Sequence, residues 1–496
     1  MSHKMHADWQ RMAASLTFET RAFIDDTFAE AASGETFEAI NPATGELLAR
    51  VASCDAPDAE RAVQCARAAF TRGEWSRLAP GKRKKILLGL ADLMEANKHE
   101  LALLDTLDMG KPVSSSLGDM AGAIACIRYQ AECIDKLYGE VAPTGEEALA
   151  LVLREPLGVV AAIVPWNFPL MMTAWKIAPA LAAGNSVILK PSEKSPLSAL
   201  RLAALAREAG VPRGVFQVLP GFGHTVGKAL ALSMEVDCLA FTGSTQVGKQ
   251  LMQYAGQSNL KRVYLECGGK SPNIVFADCR NLDKVARHAA TAIFHNQGEV
   301  CIAGSRLLVE NSIREAFIEK VLKAAEGMQP GDPLDPESFM GAIVDETQYR
   351  RVLDFIRQGV EEGAQLRAGG QSLEGPGFFI PPTVFDGVTS SMAIGREEIF
   401  GPVLAVFGFD SEEEAVAMAN DTPYGLAAGL WSQDIDRIMR VTRRLQSGQV
   451  FVNNWAGGDQ TMPFGGVKQS GNGRDKSHHS LEEYSDLKSV WIALGG

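Results

Sequence analysis

Gly158-Val159-Val160-Ala161-Ala162-Ile163-Val164 runs directly into Pro165-Trp166-Asn167-Phe168-Pro169. The first stretch has no polar side chain and is too short for a stable helix. It reads as a strand buried on both faces, as in parallel sheets. The two prolines around Asn167 end the strand, and the chain resumes as a helix over 170–181, stopped by Gly184-Asn185. A second strand is expected at 186–190. Ser195-Pro196 then predicts a cap residue and a first-turn proline for a helix reaching Ala209. Further strands are expected at 215–219, 238–242 and 262–265, with helices over 226–232 and 245–254. Strands and helices alternating at this spacing specify an α/β fold around an open, mostly parallel sheet.

Outward from this core, a second alternating half begins after Glu266. Its strands are expected at 273–276, 306–309, 403–407 and 449–453, and its helices over 282–295, 314–325, 349–362, 412–420 and 435–445. The domain change falls near 266–270. The chain up to about residue 138 reads as mainly helical, with helices over 59–70 and 82–96. Residues 138–144 form a connector, and 149–154 a β excursion. The tail, 476–496, carries an alternating apolar end that needs a partner. It is either an edge strand of its own domain or, with 139–154, a subunit contact.

The chain's 496 residues allow two or three domains. Its net charge of −12 argues against a nucleic-acid partner. Eight cysteines, with no CxxC pair and no zinc-type spacing, form neither a disulfide framework nor a metal site. His478-His479 has no metal-binding partner at useful spacing. The most apolar region, 157–183, is interrupted by Pro165, Asn167, Pro169, Lys176 and Pro179, and falls short of the roughly 20 residues of a membrane span. The first residues lack the apolar core of a signal peptide, so a cytoplasmic enzyme is expected.

Two short stretches offer chemistry. In Leu265-Glu266-Cys267-Gly268-Gly269-Lys270, a carboxylate stands between a strand and two glycines. In Asn296-Gln297-Gly298-Glu299-Val300-Cys301, a thiol follows a glycine turn near the junction of the two halves. A thiolate adds to an aldehyde carbon, the adduct can lose hydride, and a carboxylate can activate water to release the resulting thioester. Cys301 could equally be a small buried hydrophobe, and Glu266 a solvated strand end. Asn167 is either a turn residue or a donor to the oxyanion formed on attack. Phe241-Thr242-Gly243-Ser244-Thr245-Gln246-Val247-Gly248 lacks GxGxxG, yet a glycine turn opening a helix presents N–H groups to a phosphate. Lys190 and Glu193 follow the second strand, either as two exposed charges in a turn or as partners of a ribose lying at the sheet edge. Glu193 on its 2′-hydroxyl would favour NAD over NADP. Glu398 and Phe400 either belong to a surface loop or meet a second ribose and pack on a nicotinamide, respectively.

Together these stretches resemble the NAD(P)-dependent aldehyde dehydrogenase superfamily. The likeness extends from Asn41-Pro42-Ala43-Thr44-Gly45 to Pro463-Phe464-Gly465-Gly466-Val467-Lys468-Gln469-Ser470-Gly471. It implies that Cys301 is the nucleophile, Glu266 the general base and Asn167 the oxyanion donor. It further implies dinucleotide contacts from Trp166, Lys190, Glu193, Gly243, Ser244, Gly248, Glu398 and Phe400. The implied fold is a variant Rossmann domain (1–138 and 155–265), an α/β catalytic domain (266–475) and a small β oligomerisation element (139–154 and 476–496). The implied assembly is a homodimer or homotetramer. Within the family, Phe451-Val452-Asn453-Asn454-Trp455, Gly458-Asp459 and Gly471-Asn472-Gly473-Arg474-Asp475-Lys476-Ser477 are most similar to γ-glutamyl-γ-aminobutyraldehyde dehydrogenases of putrescine breakdown. The expected reaction oxidises such an aldehyde to its acid with NAD, or NADP, as acceptor and no metal. A broad-specificity aliphatic or aromatic aldehyde dehydrogenase is the alternative. A coenzyme A-acylating enzyme is a further one, against which Glu266 speaks. Glu299 stands where many members have glutamine, and an acidic mouth there would suit a cationic amino-aldehyde. Gln246 replaces a frequent acidic residue.

Overall fold

The computed structural model describes residues 4–495. Its first sheet has seven strands, in the order Arg262–Glu266, Cys238–Thr242, Val159–Ile163, Ser186–Lys190, Phe216–Val218, Ala22–Ile24 and Thr27–Ala29. The first five are parallel, and the last two form an antiparallel hairpin at the edge. Four of the five, Val159–Ile163, Ser186–Lys190, Phe216–Val218 and Cys238–Thr242, are buried along their whole length, which explains their mostly apolar character. After Val159–Ile163 the chain adds strands first on one side and then on the other. The order therefore reverses between Val159–Ile163 and Cys238–Thr242, and ligands of such sheets bind at the carboxyl ends beside that reversal. Those ends carry Pro165-Trp166-Asn167 and Gly243-Ser244.

The second sheet also has seven strands, in the order Gln365–Ala368, Thr383–Asp386, Val403–Phe409, Arg306–Glu310, Pro272–Val275, Ala427–Trp431 and Gln449–Val452. All pairs but the first are parallel. The chain leaves the first sheet at Glu266 and joins the second at Pro272. Three of these strands escape sequence patterning. Ala427–Trp431 is rich in alanine and glycine because Trp455 and Asn273 fill the space beside Gly429, where a β-carbon would lie 2.5 Å from the Trp455 ring.

The N-terminal part is mainly helical, as expected, but not wholly so. Besides helices Ala56–Arg72, Pro80–Ala96, Lys98–Met109 and Val113–Cys133, it contains the edge hairpin of the first sheet and a ribbon of Thr36–Ile40 with Leu47–Ala52. These strands are short, and their pattern is masked by turns. The tail strand Ser485–Ala493 pairs antiparallel with Ala148–Pro156, which also pairs with Glu140–Ala142. This three-stranded sheet is separate from the other two and leaves Val141, Leu487 and Trp491 exposed.

One expected cap is replaced. Ser195 does not cap the helix Leu197–Glu208; its Oγ donates to the Trp166 carbonyl at 3.3 Å. The first helical N–H, of Leu197, donates instead to Asp108 Oδ2 at 2.9 Å. Asp105 Oδ2 similarly accepts from Leu170 N at 3.3 Å in the first turn of helix Pro169–Ala183. Two buried aspartates on helix Lys98–Met109 thus serve the amino ends of the helices flanking the site.

Candidate active site

Between the two large sheets a cavity is lined by Trp166, Asn167, Gly243, Ser244, Cys301, Glu398 and Phe400, all singled out from sequence. Pro165, Met172, Thr242, Cys267, Gly268, Gln348 and Arg351 complete its wall. Lys190, Glu193, Gly248 and Glu266 lie outside this lining.

Cys301 owes its position to a strained loop. Asn296, Gln297 and Gly298 follow one another in left-handed conformation, with φ of 51°, 57° and 72°. A β-carbon on Gly298 would lie 2.2 Å from the Gly401 carbonyl oxygen, so the loop is pressed against the turn bearing Glu398 and Phe400. Gln297 secures it from the other side, its Oε1 accepting from Gly341 N and its Nε2 donating to the Ala342 carbonyl. Such backbone persists only where its surroundings fix it. Burial pushes the Cys301 thiol up to about 12, and Glu398 and Glu266 add to the effect. The resting group is therefore a protonated thiol.

Asn167 is buried, and its Nδ2 donates to the Glu299 carbonyl at 2.8 Å. That bond uses one of two N–H groups and fixes the amide plane, leaving the second for an incoming oxygen. Glu299 is not at the mouth, which corrects the expectation of an acidic entrance. It is fully buried, and its Oε1 accepts from Val344 N at 3.1 Å. Burial raises it well above the carboxylate range, so it stands uncharged, as a glutamine would.

Glu266 is buried with no hydrogen bond to either oxygen. Its carboxyl is turned toward the loop 465–475, where a β-carbon on Gly465 would lie 2.7 Å from Oε1. Burial, then Asp475, raises its proton affinity far above the usual range, against the pull of Lys176. Lys176 and Asp475 form a buried ion pair at 2.7 Å. Burial works against the Lys176 charge, but Asp475 and Glu266 outweigh it and raise its pKa. This pair escaped the sequence reading. The one signal was Lys176 itself, a charge inside an apolar helix that must find a partner.

On the other side of Cys301, helix Thr245–Gln257 points its amino end at the cavity. Ser244 caps it, with Oγ accepting from Val247 N at 3.3 Å. Gly248 does not reach the cavity. It lets the helix approach its neighbouring strand, since a β-carbon there would lie 2.9 Å from Cys267 Sγ. Glu398 lies across the glycines that follow Glu266. Gly269 N donates to its Oε1 at 2.9 Å, and a β-carbon on Gly268 would collide with its Oε2. Burial raises Glu398 to about 7 despite that hydrogen bond. The Phe400 ring meets Trp166 edge-on at 5.3 Å, while Gln348 Nε2 donates to the Phe400 carbonyl at 2.8 Å. Lys190 ends the central strand Ser186–Lys190 and pairs with Glu193 at 3.1 Å. Thr242 Oγ1 is buried in the cavity wall without a partner. A helix amino end beside a buried, unpartnered hydroxyl presents hydrogen-bond donors to an anionic group such as a phosphate.

The profile of the aldehyde dehydrogenase family matches residues 28–490. The NADP/NAD-dependent aldehyde dehydrogenase PuuC of Escherichia coli is 55% identical over 98% of both chains. The structure of γ-glutamyl-γ-aminobutyraldehyde dehydrogenase from Burkholderia cenocepacia is 55% identical, with a TM-score of 0.97 over 99% of this chain and 100% of that one. The AldA indole-3-acetaldehyde dehydrogenase of P. syringae, solved with NAD+, is 58% identical with a TM-score of 0.98 over 99% and 100%. On both sequence and structure, the chain belongs to the aldehyde dehydrogenase family.

Proposed function

We propose that this enzyme oxidises an amino- or γ-glutamylamino-aldehyde of polyamine breakdown to its carboxylic acid, with NAD, or NADP, as acceptor. The observation that carries the reading is one cavity in which the Cys301 thiol and the Asn167 amide face a helix amino end, with the unpartnered carboxyl of Glu266 buried behind them. The name of the Burkholderia relative, a γ-glutamyl-γ-aminobutyraldehyde dehydrogenase, supports the substrate class.

The Cys301 thiol loses its proton to solvent, and its sulfur then bonds to the aldehyde carbon as the carbonyl π bond opens onto oxygen. Asn167 Nδ2 and the Cys301 backbone N–H hold the oxygen as charge develops on it, an effect worth about 100- to 1,000-fold per donor. Gly243, Ser244 and Thr242 would hold the dinucleotide phosphates, Lys190 and Glu193 one ribose, Glu398 the other, with Trp166 and Phe400 beside the ring. When bound, the dinucleotide supplies the hydride acceptor. Glu266 swings from the 465–475 loop toward Cys301 and takes a proton from the water that cleaves the thioester. Its high proton affinity suits it to that base role. Lys176 and Asp475 act through Glu266 as positioning residues.

Glu193, held by Lys190, disfavours a 2′-phosphate and inclines the enzyme to NAD. The division into dinucleotide-binding (1–138, 155–265), catalytic (266–475) and oligomerisation (139–154, 476–496) segments belongs to the same proposal, as does a dimer or tetramer. Among the described residues no helix is long and apolar enough to cross a membrane. The eight cysteines are unpaired, which fits a reducing, cytoplasmic setting.

The test is a panel of ω-amino, γ-glutamylated, aliphatic and aromatic aldehydes with each cofactor, with and without coenzyme A. Reduced cofactor and free acid should form without coenzyme A, and Cys301→Ala should abolish both. Acyl-coenzyme A as sole product, or turnover surviving Cys301→Ala, contradicts the reading.

A further inference from the structure

One wall beside Cys301 is the cavity that also holds Gly243, Ser244 and Glu398. A second is apolar: Met171 and Trp175, one turn apart on helix Pro169–Ala183, with Phe464 packed on Trp175 at 4.9 Å. Cys301 and Met171 pack against the same apolar cluster as these two rings. An aldehyde that presents its hydride to the first wall must extend its tail along the second.

That second wall ends in two charges the reaction does not use. Lys476 is half-buried, with Nζ 5.7 Å above the Trp175 ring. Among the described residues its ammonium has neither a hydrogen bond nor an ion pair within 4 Å. Its backbone is left-handed, φ 63°, as is that of Ser477, φ 49°. Ser477 N donates to the Gln460 carbonyl at 2.8 Å, and Gln460 Nε2 donates to the Gly122 carbonyl at 3.4 Å. The loop is thus tied to helix Val113–Cys133, and the strained backbone is held in place. Asp459 is exposed. Its Oδ1 accepts from Thr461 N at 2.8 Å and from Thr461 Oγ1 at 2.6 Å, which leaves Oδ2 free. Asp459 and Lys476 are not paired with each other, yet each feels the other's charge.

We propose that Lys476 and Asp459 bind the zwitterionic head of an α-amino acid at the far end of the substrate, the γ-glutamyl group of a γ-glutamylated amino-aldehyde. Lys476 takes the α-carboxylate and Asp459 the α-ammonium. A lone carboxylate here would suit a free amino-aldehyde. A lone ammonium would suit an acidic aldehyde. Two opposite charges held apart, one fixed over an aromatic floor, match a group that carries both. Lys476 also repels a bare ammonium, so the unglutamylated amine is disfavoured.

The inference rests on the reading of Cys301 as the point of aldehyde attack. Its test measures kcat and KM of the full chain with NAD for four aldehydes: γ-glutamyl-γ-aminobutyraldehyde, the glutaryl analogue that lacks the α-amine, γ-aminobutyraldehyde and hexanal. Lys476→Met should raise KM for the γ-glutamyl aldehyde about 10- to 100-fold while kcat changes little, the scale of one lost charge-assisted hydrogen bond. The preference for that aldehyde over hexanal should fall by the same factor. Lys476→Arg should recover most of it. Asp459→Asn should weaken the γ-glutamyl aldehyde but not its glutaryl analogue. Equal losses for all four aldehydes, or an unchanged KM in Lys476→Met, overturn the inference. If the wild-type enzyme turns over hexanal but gains nothing from the head group, this inference alone fails. If no aldehyde reduces the cofactor, the proposed function fails and takes this inference with it.

Discussion

Cys301, the proposed nucleophile, and Glu266, the proposed base, are both held in their protonated forms. Burial is the main cause for each; Glu398 and Glu266 add to it at Cys301, and Asp475 adds to it at Glu266. The sign of the pH dependence follows. Raised values mean that the reactive forms, thiolate and carboxylate, grow as pH rises. Without ligands, alkylation of Cys301 by iodoacetamide should be slow at neutral pH and still climbing above pH ~10, given a thiol near 12. Peptide mapping of the modified residue checks this; a plateau near neutrality would show an already activated thiolate. Steady-state kcat should likewise rise from acid to alkaline pH, instead of levelling off just above the ordinary carboxylate range. At this scale the sequence was informative where chemistry is local. Cys301, Glu266 and Asn167 stand out beside glycines and prolines. It was silent where chemistry is assembled from afar: Lys176 and Asp475 are 299 positions apart and meet only in the folded chain. Glu299 misled because a carboxylate reads as exposed until a backbone N–H and a buried site are seen around it.

At the scale of elements, the turn 296–298 sets the reach of the nucleophile. Gly298 has a positive φ and no room for a side chain beside Gly401. Gly298→Ala should leave the far-ultraviolet circular dichroism unchanged and lower kcat/KM by about 100-fold, the cost of a nucleophile displaced by about an ångström. Retention of full activity would show that the turn is not strained in the way its dihedrals indicate. The parallel strands around this site were readable because each is a short apolar run between turn residues. Gln365–Ala368 and Thr383–Asp386 were not, since half of the first is exposed and the second has only four residues. The helix Leu197–Glu208 shows the same limit in another form. Its first N–H is met by Asp108, 89 positions away, while the cap expected from sequence, Ser195, holds the Trp166 carbonyl instead.

Across the whole molecule, two seven-stranded sheets meet at Glu266–Pro272, and the third sheet stands apart with an apolar face open to solvent. Trp491 is 69% exposed on the tail strand, an unusual place for the largest apolar side chain. If this sheet joins subunits, Trp491→Asp should shift the enzyme to a smaller species in sedimentation velocity while its monomer fold is kept. An unchanged sedimentation coefficient would assign the strand to its own subunit alone. Sequence reading left these two roles open because an alternating apolar strand looks the same in either.

The central claim is that sulfur 301 carries the acyl group and carboxylate 266 passes it to water. Its most direct test quenches wild-type and Glu266→Gln enzyme during turnover of an isotopically labelled γ-glutamyl aldehyde with NAD, and maps the label by mass spectrometry of the digest. The account predicts acyl label on the Cys301 peptide, transient in the wild type and accumulating in Glu266→Gln to about one per subunit, as expected when general-base help worth 100- to 10,000-fold is lost. Label on another residue, or an acyl group released from Glu266→Gln as fast as from the wild type, would contradict it.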